Sequence, residues 1–454
     1  MRTKSTNQQY FDFTHKSRLK VVNEYRAKYK LISQLLDDNP QLVSLIHQDL
    51  AKMLSQSKRG RKSEYTSEQI LRSLLVMFIE QDSYRQVVVR IENSEFLQGF
   101  VGLGIKPMMD YSFLNKAFGI LGDKTWQTMN QVLAQYAKQQ EKISSEKLRL
   151  DTTVYETNIH YPSDSSLLWD SFRTLARLLQ QIQQELPQLA LKHRFHVKKV
   201  KNLFLFITRN AASNNKGKKR KVKNTYRTLI ERVNWIAGVA HETLVILHRA
   251  GYEAELLAHY IPLVEKIIGQ AKQRVFRGVK LTADEKVYSL FEEHTELLKR
   301  GKAGKPIEFG HKVLIAQTGE KFIHHYEVFP QRQEDKELIE PTLKAHKQLF
   351  GTGPEVLATD KGFYKNMKQI MKLKINITTV SICKKGRRNQ QEYERESTEE
   401  FKDGQRFRAG CEGSISVLKR VFKLGRCLFK GFKNYAASVG CGVFCHNLVL
   451  LTRL

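Results

Sequence analysis

The hydrophobic period of this chain changes twice, and those two changes set what it can fold into. Up to about residue 145 apolar residues recur at helical spacing, as in Leu31, Leu35, Leu36, Leu42, Leu45 and Ile46. At Lys147-Leu-Arg-Leu-Asp151-Thr-Thr-Val the period drops to two. Leu148 and Leu150 alternate with Arg149 and Asp151, as in a strand with one buried face that carries Asp151 near its C-terminal end. Pro162 ends the extended stretch, Asp164 or Ser165 is placed to cap a long helix, and helical texture runs on to about Arg300, with 283–298 its last helix. After Gly301-Lys-Ala-Gly-Lys-Pro306 strands return.

The expected elements beyond that point are a hairpin, 311–317 and 321–329, turning at Thr318-Gly319, and a helix over 335–349. A strand over 354–360 follows, again ending on an aspartate, then a helix over 365–373 and a strand over 374–382. Polar residues 384–404 read as a loop, followed by a helix bearing Glu412. Without the long helical block the order is β-β-β-α-β-α-β-α, that of ribonuclease H-like domains. The expected fold is therefore α+β, or α/β. An all-α domain at 1–145 precedes a mixed-sheet catalytic domain at 146–454, which a helical insertion at about 164–305 interrupts after its first strand. Tyr65-Thr-Ser-Glu68 is a good helix start within the first domain, where a DNA-binding helix-turn-helix can be accommodated.

A formal charge of +30 on 454 residues calls for a polyanionic partner, with nucleic acid the leading one. The charge is also segregated. Between Glu185 and Glu231 there are thirteen Lys or Arg and no acid, including Lys218, Lys219, Arg220 and Lys221, which reads as a phosphate-contacting surface. Lys58, Arg59, Arg61 and Lys62 form a second basic cluster, either a phosphate contact or a solvated connection. The first residues lack the apolar core of a signal peptide, and no run reaches the roughly 18 apolar residues of a membrane helix, so no membrane association is expected. Five cysteines without paired spacing suit a reducing cytoplasm. Cys441, Cys445 and His446 read as core rather than as zinc ligands.

Glu412 is the last acidic residue of the chain. On a helix, Arg408, Glu412 and Lys419 share one narrow arc, and Cys411, Ile415, Leu418 and Phe422 form a separate apolar stripe. Two aspartates at the ends of neighbouring central strands and a glutamate from a packed helix can converge on two Mg²⁺ ions roughly 4 Å apart. Phosphodiester cleavage and transfer need little beyond that electrostatics and in-line positioning.

The pieces Leu150-Asp-Thr-Thr-Val-Tyr-Glu-Thr-Asn158, Tyr161-Pro-Ser-Asp-Ser-Ser-Leu-Leu-Trp-Asp170, Lys305-Pro-Ile-Glu-Phe-Gly-His-Lys312, Thr359-Asp-Lys-Gly-Phe-Tyr364 and Arg408-Ala-Gly-Cys-Glu-Gly413 resemble those of DDE transposases of bacterial insertion sequences, nearest the ISNCY group. The resemblance spans about Tyr65 onward. It implies that Asp151, Asp360 and Glu412 are the catalytic, metal-binding triad, served by two Mg²⁺ ions with Mn²⁺ able to substitute. It implies as partners the double-stranded DNA of the element ends and of the target, bound by a homodimer or higher oligomer in the bacterial cytoplasm at the nucleoid. Arg408 and Lys419 would grip phosphates beside the scissile bond, with Lys312 a further DNA contact. Where such proteins often carry a Tyr three residues before the Arg, this chain has Gln405. Two other expectations stand beside this one: a ribonuclease H-like nuclease or resolvase without strand transfer, and a non-catalytic domesticated DNA-binding relative. Glu156, Asp164 and Asp170 lie near Asp151 in sequence, Asp164 as the helix cap and Asp170 as a salt-bridge partner. His311 reads equally as a DNA contact or as core, and Trp169 as core.

Overall fold

The computed structural model describes residues 17–53, 63–299 and 304–454. Lys58, Arg59, Arg61 and Lys62 therefore lie outside the described residues. Among the described residues seven α-helices come first: α1 (Lys20–Asp37), α2 (Pro40–Leu50), α3 (Ser67–Ile79), α4 (Tyr84–Glu92), α5 (Glu95–Val101), α6 (Tyr111–Ile120) and α7 (Asp123–Gln139). Local chemistry sets their starts. Pro40 opens α2, and reciprocal capping boxes, Thr66 with Gln69 and Ser83 with Gln86, open α3 and α4. Arg72 of α3 is 6% exposed and ties α3 to α1 through Ser33 and Asp37.

Strand β1 (Lys147–Thr157) is followed by α8 (Asp164–Glu185), α9 (Val197–Asn210), α10 (Lys216–Arg249) and α11 (Glu255–Lys272). Then come β2 (Glu296–Lys299), β3 (Ile307–Gln317), β4 (Ile323–Val328), α12 (Ile339–Phe350), β5 (Val356–Thr359), α13 (Met367–Lys374), β6 (Thr379–Ile382), α14 (Gln390–Ser397), α15 (Glu399–Val421), β7 (Arg426–Cys427) and α16 (Phe432–Leu451). Among the described residues the architecture is thus α+β, with a mixed seven-stranded sheet in the order β2-β3-β1-β5-β6. In addition β4 pairs with β3, and β7 with β1. The β1–β5 and β5–β6 pairs are parallel, and the β3–β4 and β2–β3 pairs antiparallel.

The chain divides into two compact units: the residues up to Glu156 together with His311–Leu454, and Thr157–Gly310. The helices before Lys147 do not form a unit of their own, as a boundary at 145 would require. Their core residues, Tyr29, Leu74, Phe78 and Trp126 among them, are continuous with Tyr155, Val313 and Ile315 of the sheet and with Tyr435 and Phe444 of α16. Helix α16 is long and apolar enough to cross a membrane, yet 89% of that stretch is buried in the protein. Cys441 and Cys445 are fully buried and His446 nearly so. The second unit has its own core, built from Leu168, Phe172, Val233, Ile236, Val264 and Ile267.

Four expectations are corrected here. Strand β1 is buried on both faces, because Leu148 and Leu150 join a core with Leu357, Ile339 and Ile370, while Arg149 on the other face is only 3% exposed. Residues 384–404 are largely helical. Asn389 and Glu392 form a capping box on α14, Thr398 caps α15, and Lys384, Arg388 and Arg395 neutralise the buried Glu392 and Glu396. The expected helix at 283–298 is absent. Gly278 leaves the helical path at φ +69, and Glu296–Lys299 pairs instead with Ile307–Gly310 as β2. Finally, Ser163 rather than Asp164 caps α8, and Asp164 turns to Arg274 at 3.2 Å.

Candidate active site

The parallel pairing of β1 with β5 runs from Lys147↔Val356 to Leu150↔Thr359. The residues that come next on the two strands are Asp151 and Asp360. Neighbours at one level of a parallel ladder project to the same face. Asp151 therefore sits in the middle of the long strand β1, not near its end, but at the point where β5 stops. The Asp151 carboxylate accepts the Thr152 amide at 2.7 Å, and both aspartates keep partial exposure.

Helix α15 carries the third candidate carboxylate, Glu412, and its contacts with Ser381 and Arg149 fix its seat. Gly404 lies so close to Ser381 of β6 that a Cβ would overlap it, and Gly410 does the same against Arg149 of β1. Arg149 donates from Nη1 to the Phe407 carbonyl and from Nε to Gln317 Oε1, both at 3.0 Å. Gln405 donates to the Ser381 carbonyl at 2.8 Å and to Ser381 Oγ at 3.0 Å. Gln405 thus bolts α15 to the sheet. With Cys411, Leu418 and Phe422 buried, the face of α15 roughly a quarter-turn away carries the half-buried Arg408 and the exposed Glu412.

Arg408 Nη1 and Glu412 Oε1 are 2.8 Å apart, with the Glu412 side chain 64% exposed. Burial opposes the charge on Arg408. The hydrogen bond and charge of Glu412, then the charges of Asp151 and Asp360, outweigh it and raise its pKa above the usual value. One guanidinium therefore feels all three carboxylates. Burial, followed by the charge of Asp151, pushes the Cys411 thiol up to about 12, so it is a neutral packing group. Three carboxylates are hard oxygen donors of the kind Mg²⁺ prefers. Among the described residues, however, no three His, Cys, Asp or Glu side chains are gathered closely enough to hold a metal ion. The positive charge shared by the carboxylates in this structure is Arg408.

Beyond Asp360 the chain turns through Lys361–Phe363, where a Cβ on Gly362 would stand 2.9 Å from Asp335 Oδ2. Asp335 also accepts from Thr152 Oγ1 at 3.2 Å and from Lys312 Nζ at 2.6 Å. By strand alternation Thr152 faces away from Asp151, so Asp335 ties β1 to Lys312 of β3 from the far side. Lys312 is 11% exposed and also bonds the Gln333 carbonyl, so its ammonium is not presented to solvent. His311 is fully buried, with Nδ1 3.0 Å from the Phe329 carbonyl. Asp335, Arg149 and Gln317 were not legible as site residues. Arg149 alternates with Leu148 and Leu150 and so reads as solvent-facing, and nothing local marks Gln317 or Asp335.

Lys419, half-buried, lies further along α15. In the other unit, Lys218, Lys219, Arg220 and Lys221 are all exposed in the first two turns of α10, which Asn215 caps. Cations are disfavoured at a helix N-terminus, so a cluster there is costly unless an anion offsets it. Asp170 pairs with Arg173 at 2.8 Å and His160 at 3.3 Å, and Trp169 stacks on Phe204. No family model, no curated protein and no solved structure matches this chain.

Proposed function

We propose that this protein is a DDE-type transposase with a ribonuclease H-like catalytic domain. It binds the inverted-repeat ends of an insertion sequence in the bacterial cytoplasm, cleaves DNA strands and joins 3′-OH ends to target DNA as a dimer or larger assembly. The observation that supports this reading is the register Leu150↔Thr359, after which Asp151 and Asp360 are the next residues on paired strands, with the charges of both and of Glu412 acting on Arg408. Asp151, Asp360 and Glu412 would hold Mg²⁺, or Mn²⁺ in its place. When bound, the ions supply activation of the attacking oxygen and stabilisation of the leaving one. The chain's own residues do the rest. Arg408 screens the mutual repulsion of the carboxylates, and its ion pair with the exposed Glu412 is of the kind that costs only about 0.2–1 kcal/mol to open. Lys419 and the basic start of α10 hold the DNA backbone.

Asp151→Asn, Asp360→Asn and Glu412→Gln are each expected to abolish Mg²⁺-dependent strand cleavage while duplex binding survives. Retained cleavage by one variant removes that residue from the triad. Pre-cut ends with a free 3′-OH, supplied with a target plasmid, separate transfer from simple nuclease action. The turning of Glu412 onto Arg408 favours a second reading, a DNA-binding relative without catalysis. Failure of the wild type to nick DNA with either metal would establish it.

A further inference from the structure

We propose that a cavity of about 410 Å³ within Thr157–Gly310 binds a single nucleotide whose base carries an exocyclic amino group, either free or unstacked from DNA. The proposal rests on the reading that the chain handles DNA, not on the carboxylate site. The volume lies within the range of small-ligand sites, roughly 300–1,000 Å³. Three rings line the cavity: Tyr161 and Tyr288 each meet Phe309, at 5.7 and 5.6 Å between ring centres. Tyr161 is 74% exposed, so its ring stands largely open to solvent beside the cavity. Aromatic platforms of this kind stack unpaired bases whatever their identity.

The buried lining supplies the selectivity. Asp164 and Gln270 are 5% and 8% exposed. Gln270 Oε1 accepts the Val287 amide at 3.0 Å, which fixes its NH₂ toward Asp164. That NH₂ lies 3.5 Å from Asp164 Oδ1, at the limit of a hydrogen bond, and Arg274 takes Oδ2 at 3.2 Å. Oδ1 keeps capacity to accept another donor. An ionised carboxylate only accepts, so it fits the amino group of adenine, cytosine or guanine and finds no exocyclic partner on thymine. Lys280 and Lys286 also line the cavity and suit the phosphate.

The test uses the full chain with two probes: free 5′-dAMP, dCMP and dTMP by calorimetry, and an oligonucleotide with 2-aminopurine in a single-stranded tail, read by fluorescence quenching. Binding of dAMP and dCMP in preference to dTMP is expected. Quenching of the tail as well identifies DNA as the source, and binding of monophosphates alone identifies a free nucleotide. Tyr161→Ala, at an exposed position, should weaken binding about tenfold. Asp164→Asn should remove the preference against dTMP, and its melting curve reports whether it folds. Equal binding of the three monophosphates by the wild type, or affinity unchanged in Tyr161→Ala, overturns the proposal. Mg²⁺-dependent cleavage of plain duplex reports separately on the carboxylates.

Discussion

Gly410 lies against the Arg149 guanidinium with no room for a methyl group between them. Arg149 cannot swing aside, because it is 3% exposed and bonded to both Gln317 and Phe407. Gly410→Ala must therefore shift α15 off the sheet, an overpacking cost of about 1–3 kcal/mol that exceeds the roughly 1 kcal/mol gained in helix propensity. Gly413 on the same helix has nothing near its Cβ position, so Gly413→Ala should be neutral or raise the melting temperature. Equal upward shifts for the two variants would show that the seat of α15 is looser than described.

The tie that Asp335 makes to Lys312 is testable by a double-mutant cycle. Lys312 and Asp335 are 2.6 Å apart, and both are largely withdrawn from solvent. Lys312→Met or Asp335→Asn alone should cost about 1–3 kcal/mol, since each strands a charged partner. The two together should cost clearly less than the sum, with a coupling of about 1 kcal/mol. Additive losses in urea titrations would mean that the pair contributes no mutual stabilisation.

Acid should weaken the larger unit well above the range of its carboxylates. Burial pushes His325, His346 and His446 each down to about 4. The unfolded chain takes up those protons near pH 6.5, whereas the folded chain refuses them until about 4. The unfolded state therefore binds more protons between these values, and stability falls as pH drops from 6.5 toward 4, by up to about 3 kcal/mol per histidine. Equal urea midpoints at pH 7 and pH 5 would contradict this.

The start of α10 should govern the salt dependence of DNA binding. Replacing Lys218, Lys219, Arg220 and Lys221 with Ala is expected to flatten the plot of log K against log salt by about 0.9 for each phosphate that is no longer neutralised. Affinity should fall by the same factor for unrelated sequences. An unchanged slope would place the phosphate-binding surface elsewhere.

The parts of this fold written in local chemistry were legible. Alternation at Leu148 and Leu150 marks β1, Thr318-Gly319 marks the turn between β3 and β4, and the apolar stripe of Cys411, Leu418 and Phe422 marks the buried side of α15. What depended on tertiary partners was not. Arg149 looks like a solvent residue until α15 covers it. The charges of 384–404 look like a loop until they pair, and Asp335 has no local mark because its partners come from Thr152 and Lys312. At the candidate site, the adjacency of the strands that lead into Asp151 and Asp360 was legible from element order, whereas the hold of Arg408 on Glu412 depends on the side chains as packed.

The position of α16 has a consequence for how the protein is made. Gly440 leaves no space beside Trp126 and Tyr326, and Gly442 none beside Leu424, so this helix fills the centre of a core that the first helices also build. During translation the apolar faces of α3 and α7 must wait, unsatisfied, until residue 451 has cleared the ribosome exit tunnel. At about 5–20 residues per second, some 300 residues separate the synthesis of α7 from that of α16, a delay of tens of seconds. The nascent chain is thus a natural client for holding chaperones, and ribosomes stalled before α16 should yield aggregates rather than a truncated, partly active product.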